Sequence, residues 1–360
     1  MMGITMGGTS ATDGAAEASA ADMDAVEAIM RHGGDGLRER MVRTELHLER
    51  VTAEAGDPLA AHATDTVLAG GKRLRPLLVV LAAESAGGPR PGGPGDAARG
   101  EDSLVRAAVA VELVHSATLV HDDVIDGARL RRGRPSVAAA AGRKLAIATG
   151  DLLFSRAFAE LARNRDGAQL RALSDASSAL AEGELLQRED AYAAHVAVAR
   201  YLRRCELKTA ALFEAACRLG ALVAVAGSPA LAEELGAFAR RIGLAFQLLD
   251  DVLDVSGPVE RTGKARGTDL LDGTVTLPFI LARERDPELA ELDLSSLHGP
   301  EQAEQLCERI AATGALDEAR ERALALVAEA KSALPQSLPD GRRGAVLLDL
   351  VADAVVERYR

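Results

Sequence analysis

Two runs of this 360-residue chain repeat one arrangement of carboxylates: HDDVID, with Asp122, Asp123 and Asp126, and LLDDVLD, with Asp250, Asp251 and Asp254. Positions i and i+4 share a helix face, so each run aims two or three carboxylates in one direction with apolar residues filling the gaps. Like charges packed side by side are unfavourable unless something positive compensates. Hard divalent cations such as Mg²⁺ do so, because they take oxygen ligands and often share them with a bound phosphate. The two runs are expected to hold metal between two acidic helices; a calcium-like structural site is the alternative.

Basic residues accompany both runs. RLRRGRPS puts Arg131 and Arg132 just beyond the helix that carries Asp122 to Asp126. There they can grip the far side of a diphosphate whose near side is held by metal, or simply neutralise the aspartates and the helix C-terminus. Upstream, GGKRLRP sets Lys72 and Arg75 three apart, on neighbouring positions of one helical face. Its two glycines would let backbone amides approach an anion, although a Gly-Gly pair is more often only a turn. In CELKTAALF, Lys208 and Thr209 interrupt an apolar helix, and the competing reading is a lysine snorkelling from a helix edge. Gln247 precedes the second run by three residues, and Lys264, Arg266 and Asp269 follow it in a Gly-punctuated loop.

The elements that must position these groups are helical. From Met23 onward, apolar residues recur at three- and four-residue steps, Ala and Leu abound, and β-branched alternation is almost absent. Gly- and Pro-rich stretches at residues 86 to 102, SGPVERTGKARGTD and SALPQSLPDGRRG mark loops. Residues 1–22, poor in anything to bury, are expected to be a disordered tail, and 23–360 one all-α domain. The net charge of −12 argues against a general nucleic-acid binder. Three widely spaced cysteines, Cys205, Cys217 and Cys307, fit neither a disulfide framework nor a zinc site and suit the reducing cytoplasm. No signal peptide is evident, and no segment is expected to approach a membrane span. Only five of the 42 basic residues are lysine, and three of them, Lys72, Lys208 and Lys264, lie in the motifs above.

GGKRLRP, ELVHSATLVHDDVIDGARLRRGRPS, LKTA, FQLLDDVLDVSG and GKARGTDLLDGTVTLP, in that order and spacing, resemble the trans-isoprenyl diphosphate synthases, or polyprenyl synthetases, over roughly residues 26 to 360. The resemblance implies a single bundle of about a dozen helices around a deep central cavity, a homodimer, about three Mg²⁺ ions, and head-to-tail condensation of isopentenyl diphosphate with an allylic diphosphate. By motif position it assigns Lys72, Arg75, His115 and Arg132 to isopentenyl diphosphate. It assigns Asp122, Asp126 and Asp250 to Mg²⁺, with Asp123, Asp251 and Asp254 in support. Arg131, Lys208, Thr209, Gln247 and Lys264 fall to the allylic diphosphate. The physical logic agrees, since a diphosphate leaves carbon only when its growing charge is stabilised. Two positions depart from the family pattern: Ser136 stands where threonine is usual, and Gly273-Thr274 where Gly-Lys is usual, with Arg266 as the candidate replacement cation.

Ala117 and Thr118, one helical turn before Asp122, bear on product length. Short-chain relatives often carry an aromatic there, so these small side chains predict a product of C20 or longer, extending past C20. Release of such a product needs at most peripheral membrane contact. A terpene cyclase is the rival enzyme reading, but no Trp, three Tyr and six Phe leave few aromatic faces to hold a carbocation. A second aspartate run also stands where a cyclase would show an Asn/Ser/Glu-type metal motif. Two further alternatives are a non-catalytic partner subunit, opposed by the retention of all six aspartates, and a catalytic subunit that needs a small second protein.

Overall fold

In the computed structural model the described residues are 13–357, apart from 55, 92–96, 194, 226, 258–265, 335–337 and 339–341. The chain is an all-α bundle. Helix α1 (Asp13–Ala53) bends at Gly34 (φ 71°) and is followed by α2 (Leu59–Leu68), α3 (Leu74–Ser85) and α4 (Ala97–Ile125). After a two-stranded ribbon come α5 (Val137–Ala141), α6 (Arg143–Ala162), α7 (Gly167–Asp190) and α8 (Val198–Cys205). A π-helical segment (Glu206–Ala210) joins α8 to α9 (Ala211–Val223), which precedes α10 (Pro229–Ser256). The rest comprises α11 (Thr268–Leu271), α12 (Leu277–Arg283), α13 (Pro287–Ala290), α14 (Pro300–Ala312), α15 (Ala315–Ser332) and α16 (Arg342–Glu357). Helix α1 starts inside the stretch expected to be a tail, where five of the ten residues of Asp13–Asp22 are Ala, the strongest helix former. Residues 1–12 of that expected tail lie outside the described residues.

Helix α4 is the axis of the bundle. It packs on α6, α3, α9 and α1, and its stretch from Ala107 to Val114 is fully or almost fully buried, apolar but for Glu112. Contrary to the sequence expectation, Ala98–Ile125 is long and apolar enough to cross a membrane by length and composition. With 72% of its most apolar window buried inside the protein, it is instead the core helix of the bundle. Helix α10 begins with Ser228, whose side chain accepts from Leu231 N at 3.1 Å, and with Pro229 in the first turn. It runs without a break to Ser256, so the second aspartate run lies on regular helix.

Two local features aim site residues. The ribbon pairs Leu130 with Pro135 and Arg131 with Arg134, leaving Arg132-Gly133 as a two-residue turn with φ of 51° and 74°. Positive φ at both positions is what a tight hairpin of this hand requires, and it puts a non-glycine residue in a disfavoured region. At Gly183 of α7, an added Cβ would lie 2.5 Å from Lys208 N, so α7 rests directly on the π-helical backbone. Gly183→Ala should force these segments apart and destabilise the fold by about 1–3 kcal/mol. Urea unfolding checks this, and an unchanged midpoint would show that the contact is not tight.

Candidate diphosphate and metal site

The two aspartate runs face one cavity of about 300 Å³, lined on one side by Asp122, Asp126 and Arg131 and on the other by Asp250, Asp251, Asp269 and Thr274. Asp122 and Asp126 share a face because Asp126 N continues the helical bonding onto Asp122 O at 2.8 Å, just past the end of α4. The middle aspartate of each run is held by neighbouring protein groups. Asp123 is buried and accepts from Arg131 Nε and Nη2 at 2.9 and 2.5 Å. Asp251 is buried and accepts from Tyr201 OH at 2.6 Å and Gln247 Nε2 at 2.8 Å, while Gln247 Oε1 accepts from Thr209 Oγ1 at 2.7 Å. Arg131 thus both neutralises an aspartate and lines the cavity, so the two readings of its role coexist. Asp254 Oδ2 accepts from Asp269 N at 3.2 Å, tying α10 to α11.

Such a crowd of carboxylates resists ionisation. Burial, then the repulsion of Glu184 and Asp126, outweighs Lys208 and Arg131 and pushes Asp122 up to about 6. Burial and Asp269 push Asp251 up to about 7 and Asp254 up to about 8. Among the described residues no three His, Cys, Asp or Glu side chains are gathered into a ready cage. Carboxylates set apart in this way can hold a divalent ion whose remaining positions are filled by waters and phosphate oxygens. Asp122, Asp126 and Asp250 are the carboxylates that would hold it.

Helix α7 supplies groups that sequence reasoning missed. Glu184 forms ion pairs with Lys208 and, at 3.1 Å, with Arg188 Nε; Arg188 in turn pairs with Asp126, and Gln187 lines the cavity. Lys208 is therefore no snorkelling lysine but a cavity cation held by a carboxylate. The only signal was GELLQRED, polar residues on an otherwise ordinary amphipathic helix.

A second cationic group lies beside the first wall. The basic pair Lys72 and Arg75 does not share a helix face as expected: α3 starts only at Leu74, Arg73 takes a left-handed φ of 49°, and exposed Lys72 is in the preceding loop. Arg73 pins that loop, donating to Glu45 at 2.6 Å, Glu112 at 2.7 Å and Val67 O at 2.7 Å. A Cβ on Gly71 would sit 3.0 Å from the Arg132 guanidinium, so this glycine admits Arg132 against the loop. Arg75 lies 4.9 Å over the Phe213 ring with its Nε buried and unpartnered among the described residues; burial, partly offset by Glu112, lowers it to about 10. A desolvated guanidinium with an unused donor fits an anion. Desolvation and then Arg75, Arg132, Arg131 and Arg73 hold His115 well below its usual 6.5, so it is neutral.

Of the remaining candidates, Lys264 lies outside the described residues. Arg266, the candidate replacement for the cation absent at Thr274, bonds Val255 O at 2.9 Å and pairs with Glu304, away from the cavity. Ser136 keeps the job of a threonine hydroxyl, donating to Ala128 O at 2.6 Å and capping α5 through Ala139 N at 3.1 Å. Ala117 is buried, and Thr118 folds its hydroxyl onto His115 O at 2.8 Å.

An all-α bundle with two carboxylate walls and two groups of cations defines a metal-assisted diphosphate site. The sequence profile of the polyprenyl synthetases matches residues 57–313. The component 2 of heptaprenyl diphosphate synthase from Geobacillus stearothermophilus is 40% identical over 68% of this chain and 73% of that one. The geranylgeranyl diphosphate synthase of Methanosarcina mazei is 37% identical over 81% and 86%. The polyprenyl synthase of Caulobacter crescentus, solved with calcium and isoprenyl diphosphate, superposes with a TM-score of 0.73 at 32% identity over 99% of both chains. The chain belongs to the polyprenyl synthetase family, the trans-isoprenyl diphosphate synthases, which are prenyltransferases.

A folded pKa held below the unfolded one means that only the unfolded chain takes up the His115 proton, so stability is present above pH 6.5 and lost as pH falls below it. Between pH 6.5 and 5.5 the wild-type chain should lose about 1 kcal/mol more than His115→Gln. Urea titrations across that range read the difference, and equal losses would mean that His115 protonates in the folded state.

Proposed function

We propose that the chain condenses isopentenyl diphosphate, head to tail and in trans geometry, with an allylic diphosphate to give a polyprenyl diphosphate extending past C20, working in the cytoplasm as a homodimer. The observation that carries this reading is the single cavity walled by both aspartate runs, with the Arg75, His115 and Arg132 group beside the first. One cavity for ionising a diphosphate next to a separate cationic seat for a second diphosphate is what a two-substrate condensation needs.

Lys72, Arg75, His115 and Arg132 bind isopentenyl diphosphate, the neutral imidazole offering a hydrogen bond among cations. Arg131, Lys208, Thr209, Gln247 and Lys264 serve the allylic diphosphate. Asp122, Asp126 and Asp250 would hold Mg²⁺, about three ions per site, which would supply Lewis-acid neutralisation of the diphosphate oxygens; the Caulobacter relative's complex with calcium and isoprenyl diphosphate supports a divalent ion here. Arg131 and Lys208, each anchored by a carboxylate, keep their charge aimed at the leaving group without reorganising as the reaction proceeds. The allylic C–O bond breaks with its electron pair going to the diphosphate. The isopentenyl double bond supplies the pair for the new C–C bond, and the proton lost from the neighbouring carbon passes to the released diphosphate. No protein base is required.

The relative that is named a component 2 favours a second reading, in which this catalytic chain needs a further protein. Purified chain incubated with isopentenyl diphosphate, farnesyl diphosphate and Mg²⁺ separates the two. The proposal expects products longer than C20 by mass; products ending at C15 or C20 contradict the length, and activity only after a second protein is added supports the other reading. Asp122→Asn should lower kcat by roughly 10²- to 10³-fold, since it weakens stabilisation that is strongest in the transition state. Thr118→Phe, one turn before Asp122, should shorten the main product while the first condensation persists; an unchanged product would remove this level from length control.

A further inference from the structure

The charged side chains that line the cavity are unevenly distributed between its walls. Among the described residues three cations line it: Arg131, Lys208 and Arg204. Arg131 belongs to the first wall through Asp123, and Lys208 to α7 through Glu184. On the opposite side Asp250, Asp251, Asp269 and Asp272 all line the cavity, and Arg204 of α8 is the described cation that stands with them. It has no part in the roles assigned above.

We infer that Arg204 is a diphosphate-binding residue of the second wall, supplying positive charge that holds the allylic diphosphate. The inference rests on the functional reading above and deepens it. The Arg204 side chain is nine-tenths or more buried: it is only 4% exposed. Nη2 donates to Val275 O at 2.6 Å, and Nη1 reaches Asp190 at 3.4 Å. The better bond to that carboxylate comes from Arg200, whose Nε lies 2.5 Å from Asp190 Oδ1, so Asp190 is shared and neutralises Arg204 incompletely. A guanidinium has five donors, of which these contacts use two, and Arg204 lines the cavity. Its carbon lies 5.3 Å over the Tyr201 ring, whose hydroxyl holds Asp251. Arg204 is therefore fixed on both flanks, by the backbone next to Thr274 and by the support of Asp251. A charge so fixed and so little hydrated acts on a nearby diphosphate far more strongly than a surface arginine would.

The test is calorimetric titration of inorganic diphosphate, with Mg²⁺ present, into the whole chain, with circular dichroism confirming the fold of each variant. Arg204→Met should weaken binding at least tenfold. Adding Thr274→Lys to that variant, which returns a cation to the same wall, should recover binding to within about threefold of wild type. Arg204→Lys, which keeps the charge but loses the planar fork, should stay within about fivefold. Unchanged binding in Arg204→Met overturns the inference. So does a loss in Arg204→Lys as deep as in Arg204→Met without rescue by Thr274→Lys, because Arg204 then acts only by bracing the chain. If Arg204→Met does not fold, Arg204→Lys alone decides, a loss of tenfold or more counting against the inference. Wild-type chain that binds no diphosphate with Mg²⁺ overturns the functional reading itself, which separates that failure from the failure of this residue's role.

Discussion

Carboxylates cannot face one another across a half-buried cavity unless positive charge stands between them. Asp122, Asp251 and Asp254 are each pushed toward the neutral form by burial and by one another's neighbours, which measures how poorly the protein alone satisfies them. The neighbouring architecture answers that repulsion. Arg131 turns back on Asp123, Glu184 and Arg188 bridge α7 to Lys208 and Asp126, and Tyr201 and Gln247 hold Asp251. A residual demand for cations remains in this cavity, which a metal-bound diphosphate would meet.

The supporting geometry depends on close backbone approaches and on a strained turn more than on the aspartates themselves. Gly183 lets α7 rest on the π-helical segment that aims Lys208, and Gly71 lets Arg132 reach the loop that carries Lys72. Arg132 itself occupies a left-handed turn, a conformation kept where surrounding structure over-determines it. Arg73 spans α1, α2 and α4 with its three contacts and so fixes the loop from which Lys72 and Arg75 diverge.

Much of this was legible in the sequence, and the reasons for success and failure differ. The aspartate runs were readable because helical spacing converts four residues of separation into a shared face, and both runs are helical where that argument needs them to be. Lys208 and Thr209 were readable as polar interruptions of an apolar helix, and Gln247 by its place three residues before the second run. Glu184, Gln187 and Arg188 were not, since a polar residue on an amphipathic helix looks the same whether it faces solvent or a cavity. The failure at Lys72 came from starting the helix directly after the two glycines; the chain becomes helical only after Arg73. The choice of Arg266 as a replacement cation failed because nearness in sequence says nothing of direction, and its guanidinium is taken by Glu304 and Val255 O.

The central claim is that the two aspartate runs hold one and the same diphosphate. A double-mutant cycle on the binding of inorganic diphosphate with Mg²⁺, using Asp122→Asn, Asp250→Asn and the pair, tests it most directly. One shared ligand predicts strong coupling, of about 1–3 kcal/mol, so that the double variant binds little worse than either single one. Losses that simply add would mean that the two walls serve separate ligands, and would contradict the account.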